Sequence, residues 1–239
     1  SLLTLEPDGD LRMLETVRAF AEDRLRDAGE VDALRQQHVA WVARWAAAIE
    51  PDFDGLDPAA AIQEVDRHLL DVRAALRHAD ERRDAAAMWS IVGSLATYFW
   101  YQGHLTEALD WLARAEVNDP GLDPALQVTG RTAAALLSTS VGVHEALVAA
   151  CETARDVARA AGDRAHEGRA LILLGAHQTF GDVAGGRPLI AAGRALCAEA
   201  GDDLWAAWAD CSEGLASVFE GRPATAIAQL DSTEVTLVR

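Results

Sequence analysis

Histidine is the side chain in this sequence best suited to binding a metal or transferring a proton near neutral pH. The chain has seven histidines, and none stands in a His-x-x-x-His or His-Glu-x-x-His pattern that would hold a metal on one helix. His166 and His177 lie on one helical face but about 16 Å apart at the helical rise per residue. That separation is too large for a shared ion, so the sequence predicts no metal site.

Arginine supplies all 21 basic side chains, and the sequence contains no lysine. A chain without lysine lacks the lysine of a Walker A loop, of a Schiff base and of a Ser-x-x-Lys pair. The run from Gly181 to Gly186 is rich in glycine, but it lacks dinucleotide-binding spacing and lies where the other repeats have a turn. We therefore expect no catalytic residue and no cofactor. The alternative is a helical enzyme with an unfamiliar site.

The composition also limits the partners. The 38 acidic residues outnumber the basic ones and give a net charge of −17, which would repel a phosphate backbone, so we expect no direct nucleic-acid binding. Cys151, Cys197 and Cys211 lack Cys-x-x-Cys spacing, and we expect all three to be buried thiols in a reducing compartment. The longest apolar run, Ala170 to Ala176, is too short for a bilayer. These features predict a soluble, cytoplasmic protein that does not bind membranes.

Internal repeats organise most of the chain. Gly103, Gly142, Gly181 and Gly221 are spaced by 39, 39 and 40 residues, and each separates two apolar, helix-favouring stretches. The residues five, nine and twelve positions after each glycine mostly follow a small, apolar, small pattern: Ala108, Leu112 and Ala115; Leu147, Cys151 and Ala154; Gly186, Ile190 and Gly193; Ala226, Leu230 and Thr233. Small residues at this spacing let two antiparallel helices approach closely.

Glycine and aspartate mark the ends of the repeat units. Gly162-Asp163 and Gly201-Asp202 each place a helix-ending glycine directly before a helix-capping aspartate. Four helical hairpins then account for residues 84–239. The sequence predicts an all-α fold, a tetratricopeptide-like helical-hairpin superhelix, or α-solenoid.

Two further regions precede the repeats. Val31–Ile49 and Pro58–Arg77 are amphipathic and predict a capping helical hairpin over residues 31–83, with Pro51–Asp57 as its loop. Residues 2–14 alternate around a Pro-Asp-Gly-Asp turn and predict a short β-hairpin. Because a lone hairpin is marginal in water, we expect it to be the remnant of a domain that lies mostly outside this chain.

Several segments resemble a known family. Residues 12–21 (RMLETVRAFA), 73–76 (RAAL) and 99–105 (FWYQGHL) are similar to actinobacterial signal-transduction ATPases of the NB-ARC type. These regulators carry a winged helix and a C-terminal tetratricopeptide sensor, often with a LuxR-type DNA-binding domain. The resemblance implies that residues 1–30 end the winged-helix domain, with its wing hairpin and following helix. It also implies contacts to the upstream ATPase and winged-helix domains.

The first helices of stacked hairpins line a concave groove, where tetratricopeptide repeats bind partners. The positions that we predict to face this groove and bind a partner are Thr97, Trp100, Tyr101, Thr139, Arg169 and Trp208. Aromatic platforms, hydroxyl groups and one arginine suit a protein segment, an extended peptide or a small-molecule effector. The alternative is that Trp100 and Trp208 only fill the core.

The sequence as a whole predicts a non-catalytic sensor module that binds a protein or ligand within a larger nucleotide-dependent transcriptional regulator. A stand-alone tetratricopeptide adaptor or scaffold is the second interpretation.

Overall fold

The computed structural model describes residues 3–5, 11–54, 58–118, 123–140 and 144–237. Over these ranges the elements are β1 (Leu3–Leu5), β2 (Leu11–Met13), α1 (Glu15–Ala28), α2 (Val31–Ile49), a 3-10 helix (Glu50–Asp54), α3 (Ala59–Glu81), α4 (Ala85–Ser94), α5 (Ala96–Tyr101), α6 (Leu105–Asn118), α7 (Pro124–Ser138), α8 (His144–Ala161), α9 (Arg164–Gln178), α10 (Val183–Ala200), α11 (Asp203–Phe219) and α12 (Pro223–Leu237). The predicted all-α class is confirmed. The predicted β-hairpin is also present, with Leu3 opposite Met13 in an antiparallel pair, and its predicted turn lies outside the described residues.

The helices pack in sequence order. From α7 to α12 each helix packs against the next, and a second set of contacts joins α4 to α7, α7 to α9 and α9 to α11. Helix α4 runs into α5 with only a one-residue irregularity, because Leu95 N–H still donates to Ile91 O at 3.1 Å and Phe99 N–H to Leu95 O at 3.0 Å. None of the described helices has the length and hydrophobicity to cross a bilayer.

The predicted glycine–aspartate boundaries are confirmed. Gly162 and Gly201 adopt left-handed backbone angles, with φ of 74° and 77°. The next residue then caps a helix, since the Asp163 carboxylate accepts from His166 N–H at 3.0 Å and that of Asp202 accepts from Trp205 N–H at 3.3 Å. Each boundary therefore satisfies backbone groups on both sides of the turn.

The four repeat glycines are less uniform than their spacing suggests. Gly103 and Gly221 are left-handed, each with φ of 73°. Gly181 is not left-handed, and its turn closes through Asp182 N–H donating to Gln178 O at 2.8 Å. Gly142 lies outside the described residues.

Helices α9 and α10 touch backbone to backbone at two glycine pairs. A methyl group on Gly193 would lie 2.6 Å from the Gly168 carbonyl oxygen, and one on Gly168 would lie 2.8 Å from that of Gly193. The same reciprocal contact joins Gly175 and Gly186, at 2.8 and 2.6 Å. The reversed order of the two pairs shows that the helices are antiparallel. The predicted close approach at small residues is confirmed here.

Three of the four recurring apolar positions lie in the core. Leu112, Cys151 and Ile190 are buried, but the matching Leu230 is 44% exposed, because α12 is the last described helix and packs chiefly on α11. Burial raises the pKa of Cys151 to about 12.

The prediction that all three cysteines are buried is wrong for Cys211, which is exposed, whereas Cys197 is buried. The buried stripe of α11 includes Trp205, Ala209 and Ser212. Cys211 does not lie on that stripe. It follows Trp205 by six residues, and at the helical repeat this places it on a different face of the helix.

We predict that Gly193→Ala lowers the free energy of unfolding by about 1–3 kcal/mol, because the added methyl group must push two helix backbones apart. Gly181→Ala is the matched control, since nothing lies within 4 Å of its added methyl group. Thermal melting should show a clear loss for the first variant and almost none for the second. Equal melting temperatures would show that the glycine contact carries no packing constraint.

Candidate functional site

Two adjoining cavities lie where α4, α5, α7, α9 and α11 meet, and Thr97, Leu136 and Trp205 line both. Trp100, Tyr101 and Trp208, which were predicted to bind a partner, line the larger cavity. We call these two cavities, with the rings of Phe53, Trp100, Tyr101, Trp205 and Trp208, the aromatic cleft.

The remaining predicted residues lie at the same place. Thr97 lines both cavities and Arg169 lines the smaller one. Thr139 lines neither, but its hydroxyl oxygen accepts from Trp100 Nε1 at 3.1 Å and its own proton goes to Leu136 O at 2.6 Å. The structure therefore brings together all six residues that the sequence singled out.

The tryptophan rings contact one another, edge to face between Trp100 and Trp208 and at a tilt of 43° between Trp205 and Trp208. The Trp100 and Trp208 centroids are 6.0 Å apart with planes at 69°, and the Trp205 and Trp208 centroids are 5.2 Å apart. Trp100 and Trp208 are both partly buried against the core, whereas Tyr101 is 51% exposed. The rings thus join two hairpins that are far apart in sequence and still present aromatic surface to solvent.

Arg169 is fixed by the cap of the next repeat. Its Nε donates to Asp202 Oδ2 at 2.6 Å, and its guanidinium lies 5.5 Å from the centre of the Trp205 ring. The Asp202 side chain is only 9% exposed. The arginine charge is therefore balanced by a carboxylate that also caps α11, and its position is determined before any partner binds.

Sequence reasoning missed the segment that covers the cleft. Glu50 lines the smaller cavity and Phe53 the larger one, and both belong to the 3-10 helix, most of which lies in the segment predicted as a loop, Pro51–Asp57. The sequence feature that could have revealed it is a lone phenylalanine between two aspartates, which is 3% exposed in the fold. Leu204 and Trp205, at the start of α11, were also absent from the predicted set.

The cavities are small. They measure about 80 Å³ and about 40 Å³, whereas pockets for drug-sized ligands span roughly 300–1,000 Å³. In this conformation the cleft has room for one side chain or a few water molecules. A larger ligand requires the 3-10 helix or the rings to move.

A pair of imidazoles was not predicted. His144 Nδ1 and His177 Nε2 are 2.5 Å apart, and the His177 and Phe180 ring centroids are 6.3 Å apart. Burial, followed by the neighbouring His144, lowers the pKa of His177 from its ordinary value of 6.5. Within the described residues, no three histidine, cysteine or carboxylate side chains converge as metal ligands.

The chain is similar to proteins that are named as transcriptional regulators. It is 28% identical over 203 residues to proteins named as HTH-type transcriptional regulators in Mycobacterium bovis and Mycobacterium tuberculosis. The match covers 81% of this chain and 22% of each relative, so the chain spans less than a quarter of their length. No model of a known protein family matches the chain, and no solved structure does.

We predict that Arg169→Met lowers the free energy of unfolding by about 1.5–3 kcal/mol, because it leaves the buried Asp202 carboxylate without its cation. Arg164→Met is the control, since the Arg164–Glu199 ion pair is 56% and 60% exposed and should contribute less than about 1 kcal/mol. Denaturant titration measures both. An equal loss in the two variants would contradict a structural role for the Arg169–Asp202 pair.

We predict that the wild-type protein loses stability as the pH falls from above 6.5 through the lowered pKa of His177. In that window the unfolded chain binds more protons at this position than the folded chain does, so the free energy of unfolding must fall with pH. Melting profiles of wild type and His177→Gln isolate the contribution. Identical slopes of stability against pH in the two proteins would contradict this prediction. His144→Gln should reduce the slope only in part, because His177 stays buried in that variant.

Proposed function

We propose that this chain is the partner-sensing module of a transcriptional regulator, that it is not itself catalytic, and that the aromatic cleft receives the partner. The observation that carries the proposal is the convergence of three indole rings, Tyr101 and a pre-positioned arginine at one partly exposed cleft. The similarity to HTH-type transcriptional regulators supports the regulatory setting. Tryptophan and tyrosine are also the residues most often found at the energetic centres of protein interfaces.

We also propose a tetratricopeptide-like solenoid as the architecture of residues 84–239. In support, the first helices of successive hairpins contact each other in the order α4, α7, α9 and α11, while α8 and α10 each pack between two of them. The cleft then lies on the inner, concave face of the repeats. This explains why residues about 110 positions apart, such as Trp100 and Trp208, meet there.

The cleft chemistry favours a peptide with an apolar anchor over a small polar effector. Arg169 is already paired with Asp202, so it offers little uncompensated charge. The free surface is aromatic, and the larger cavity of about 80 Å³ suits one apolar side chain. Because the chain carries a net charge of −17, a neutral or basic peptide is favoured over an acidic one or a nucleic acid.

Residues 1–30 are proposed as the junction to the upstream winged-helix and ATPase domains. Among the described residues, helix α1 has no buried side chain and packs chiefly against α2. Its Phe20 is 64% exposed. A helix of this kind has apolar surface available for a neighbouring domain. The ATP-dependent switch itself would then belong to the rest of the regulator, in the cytoplasm.

The proposed function is tested by selecting peptides from a random library on the immobilised chain. We expect the selected peptides to share an aromatic or aliphatic anchor, and Trp100→Ala/Tyr101→Ala to weaken their binding by about 2 kcal/mol or more, as at an interface hot spot. Tyr101→Ala alone provides a variant that leaves the core intact, because this side chain is half exposed.

Phe180→Ala/Phe219→Ala is the matched control for the same experiment. These two exposed rings contact each other at 5.2 Å and line neither cavity of the cleft. Their removal should leave the affinity unchanged. If the control pair abolishes binding and folded cleft variants keep it, the partner site is on the Phe180–Phe219 surface instead.

A further inference from the structure

The arginines without an acidic partner are concentrated in one part of the molecule. Most arginines form an ion pair with a carboxylate. Among the residues whose side chains the structure describes, the exceptions are Arg35, Arg44, Arg77, Arg82 and Arg83. All five belong to the first helical hairpin or its end. In a chain with 38 acidic residues, this grouping leaves a local surplus of positive charge.

Three of these arginines line two cavities along the α2–α3 seam. Arg35 and Arg77 border one of about 350 Å³, together with His38 and Glu81. Arg82 borders the other, of about 510 Å³, whose walls also include Val39, Ala40, Ala79 and Ala87. Both cavities are several times larger than those of the aromatic cleft. One offers cationic groups and the other combines a cation with apolar walls.

His78 lies between the two cavities and lines both. It is only 8% exposed, and neither ring nitrogen has a hydrogen-bond partner in the fold. The nearest carboxylate oxygen, Glu81 Oε2, is 3.5 Å from Nδ1. Buried polar atoms in native proteins almost always have a partner, so an unpartnered imidazole in the wall shared by the two cavities points to a group that binds there.

We propose that the α2–α3 seam is a binding site for a small phosphorylated molecule, with the phosphoryl group held by Arg35 and Arg77 and the body of the molecule in the cavity beside Arg82. His78 then donates to, or accepts from, the ligand between the two cavities. This site is separate from the aromatic cleft and is independent of the function proposed for it.

The available donors match a phosphoryl group. Arg77 donates from Nε to Arg73 O at 3.3 Å and has no other partner among the described residues, so its terminal nitrogens are available. With the Gln36 amide oxygen facing α3, Arg82 donates to that oxygen at 2.9 and 2.6 Å. Because the amide is neutral, the positive charge of Arg82 is not balanced by this contact. Guanidinium groups bind phosphate oxygens in pairs and with charge assistance.

Two acidic residues border the cavities and limit what can bind. Asp84 is occupied as the cap of α4, where it accepts from Ala87 N–H at 3.0 Å. Glu81 is 68% exposed at its side chain and can turn into solvent. The net charge of −17 repels anions at long range, so binding must come from short contacts inside the seam. This favours an enclosed soluble phosphate ester over an anionic surface.

The test uses the whole chain with inorganic phosphate as the first probe, at ionic strength held constant with chloride. We expect saturable broadening in the ³¹P spectrum and a concentration-dependent rise in melting temperature. Phenyl phosphate should bind more tightly than inorganic phosphate, because its ring packs against the apolar walls of the second cavity. Absence of saturable binding by both probes would overturn the proposal, and equal binding of succinate would overturn the phosphoryl assignment.

Variants locate the site. Arg77→Gln and Arg35→Gln should each weaken phosphate binding about tenfold or more, the effect expected for losing one hydrogen bond to a charged group. Arg44→Gln is the matched control. Arg44 is an exposed arginine on α2, the helix of Arg35, and it has no acidic partner and lines neither cavity. An equal loss in Arg44→Gln would show general charge attraction and contradict a site. Co-sedimentation with vesicles containing phosphatidic acid would overturn the soluble-ligand assignment.

Discussion

The close approach of helices at small residues is the constraint on which the rest of this structure depends. At Gly168 with Gly193, and at Gly175 with Gly186, the backbones of α9 and α10 touch. Gly130 of α7 lies directly against the Trp89 ring of α4 in a similar way. Interiors of proteins are close-packed, so a single added methyl group at these positions has to displace a helix. The spacing between hairpins therefore follows from where the sequence places glycine and alanine.

Ion pairs then connect neighbouring elements at the partly exposed seams. Arg194 donates to Asp210 at 2.6 Å between α10 and α11, and Arg73 pairs with Glu107 at 2.7 Å between α3 and α6. The hydrogen bond from Arg73 lowers the pKa of Glu107. Such pairs contribute little each, but they fix which faces meet. One such pair lies at the aromatic cleft, where Asp202 at the start of α11 positions Arg169 of α9.

Periodicity and turn chemistry predicted much of this fold because they act locally. The aspartate caps after Gly162 and Gly201, the two helices of residues 31–83 and the small residues of α10 are visible in the sequence itself. The six predicted partner-binding residues meet because α4 and α5 contact α7, α7 contacts α9, and α9 contacts α11. For these residues the repeat spacing in the sequence was enough to predict that they lie close together in the fold.

Other features depend on long-range packing that no local pattern encodes. The 3-10 helix brings Phe53 over the cleft because a cavity exists there to bury it, and the other residues that line that cavity, from Thr97 to Trp208, come much later in the sequence. Arg83 ends α3 in a left-handed conformation with φ of 57°, where a glycine would be expected. Cys211 is exposed because the rotation of α11 is set by Trp205 and its neighbours. Among the described side chains, which arginines lack an acidic partner also depends on this packing, because a partner such as Asp202 for Arg169 comes from a distant part of the sequence.

Hydrogen–deuterium exchange on the whole chain, with and without a peptide selected on it, tests the central claim most directly, namely that the aromatic cleft receives the partner. The account predicts added protection in the 3-10 helix Glu50–Asp54, in α5 and at the start of α11, which together border the larger cavity. It also predicts no change in α8 and α10, which contribute no residue to either cavity of the cleft. Protection confined to α8 and α10, with the cleft unchanged, would contradict the account.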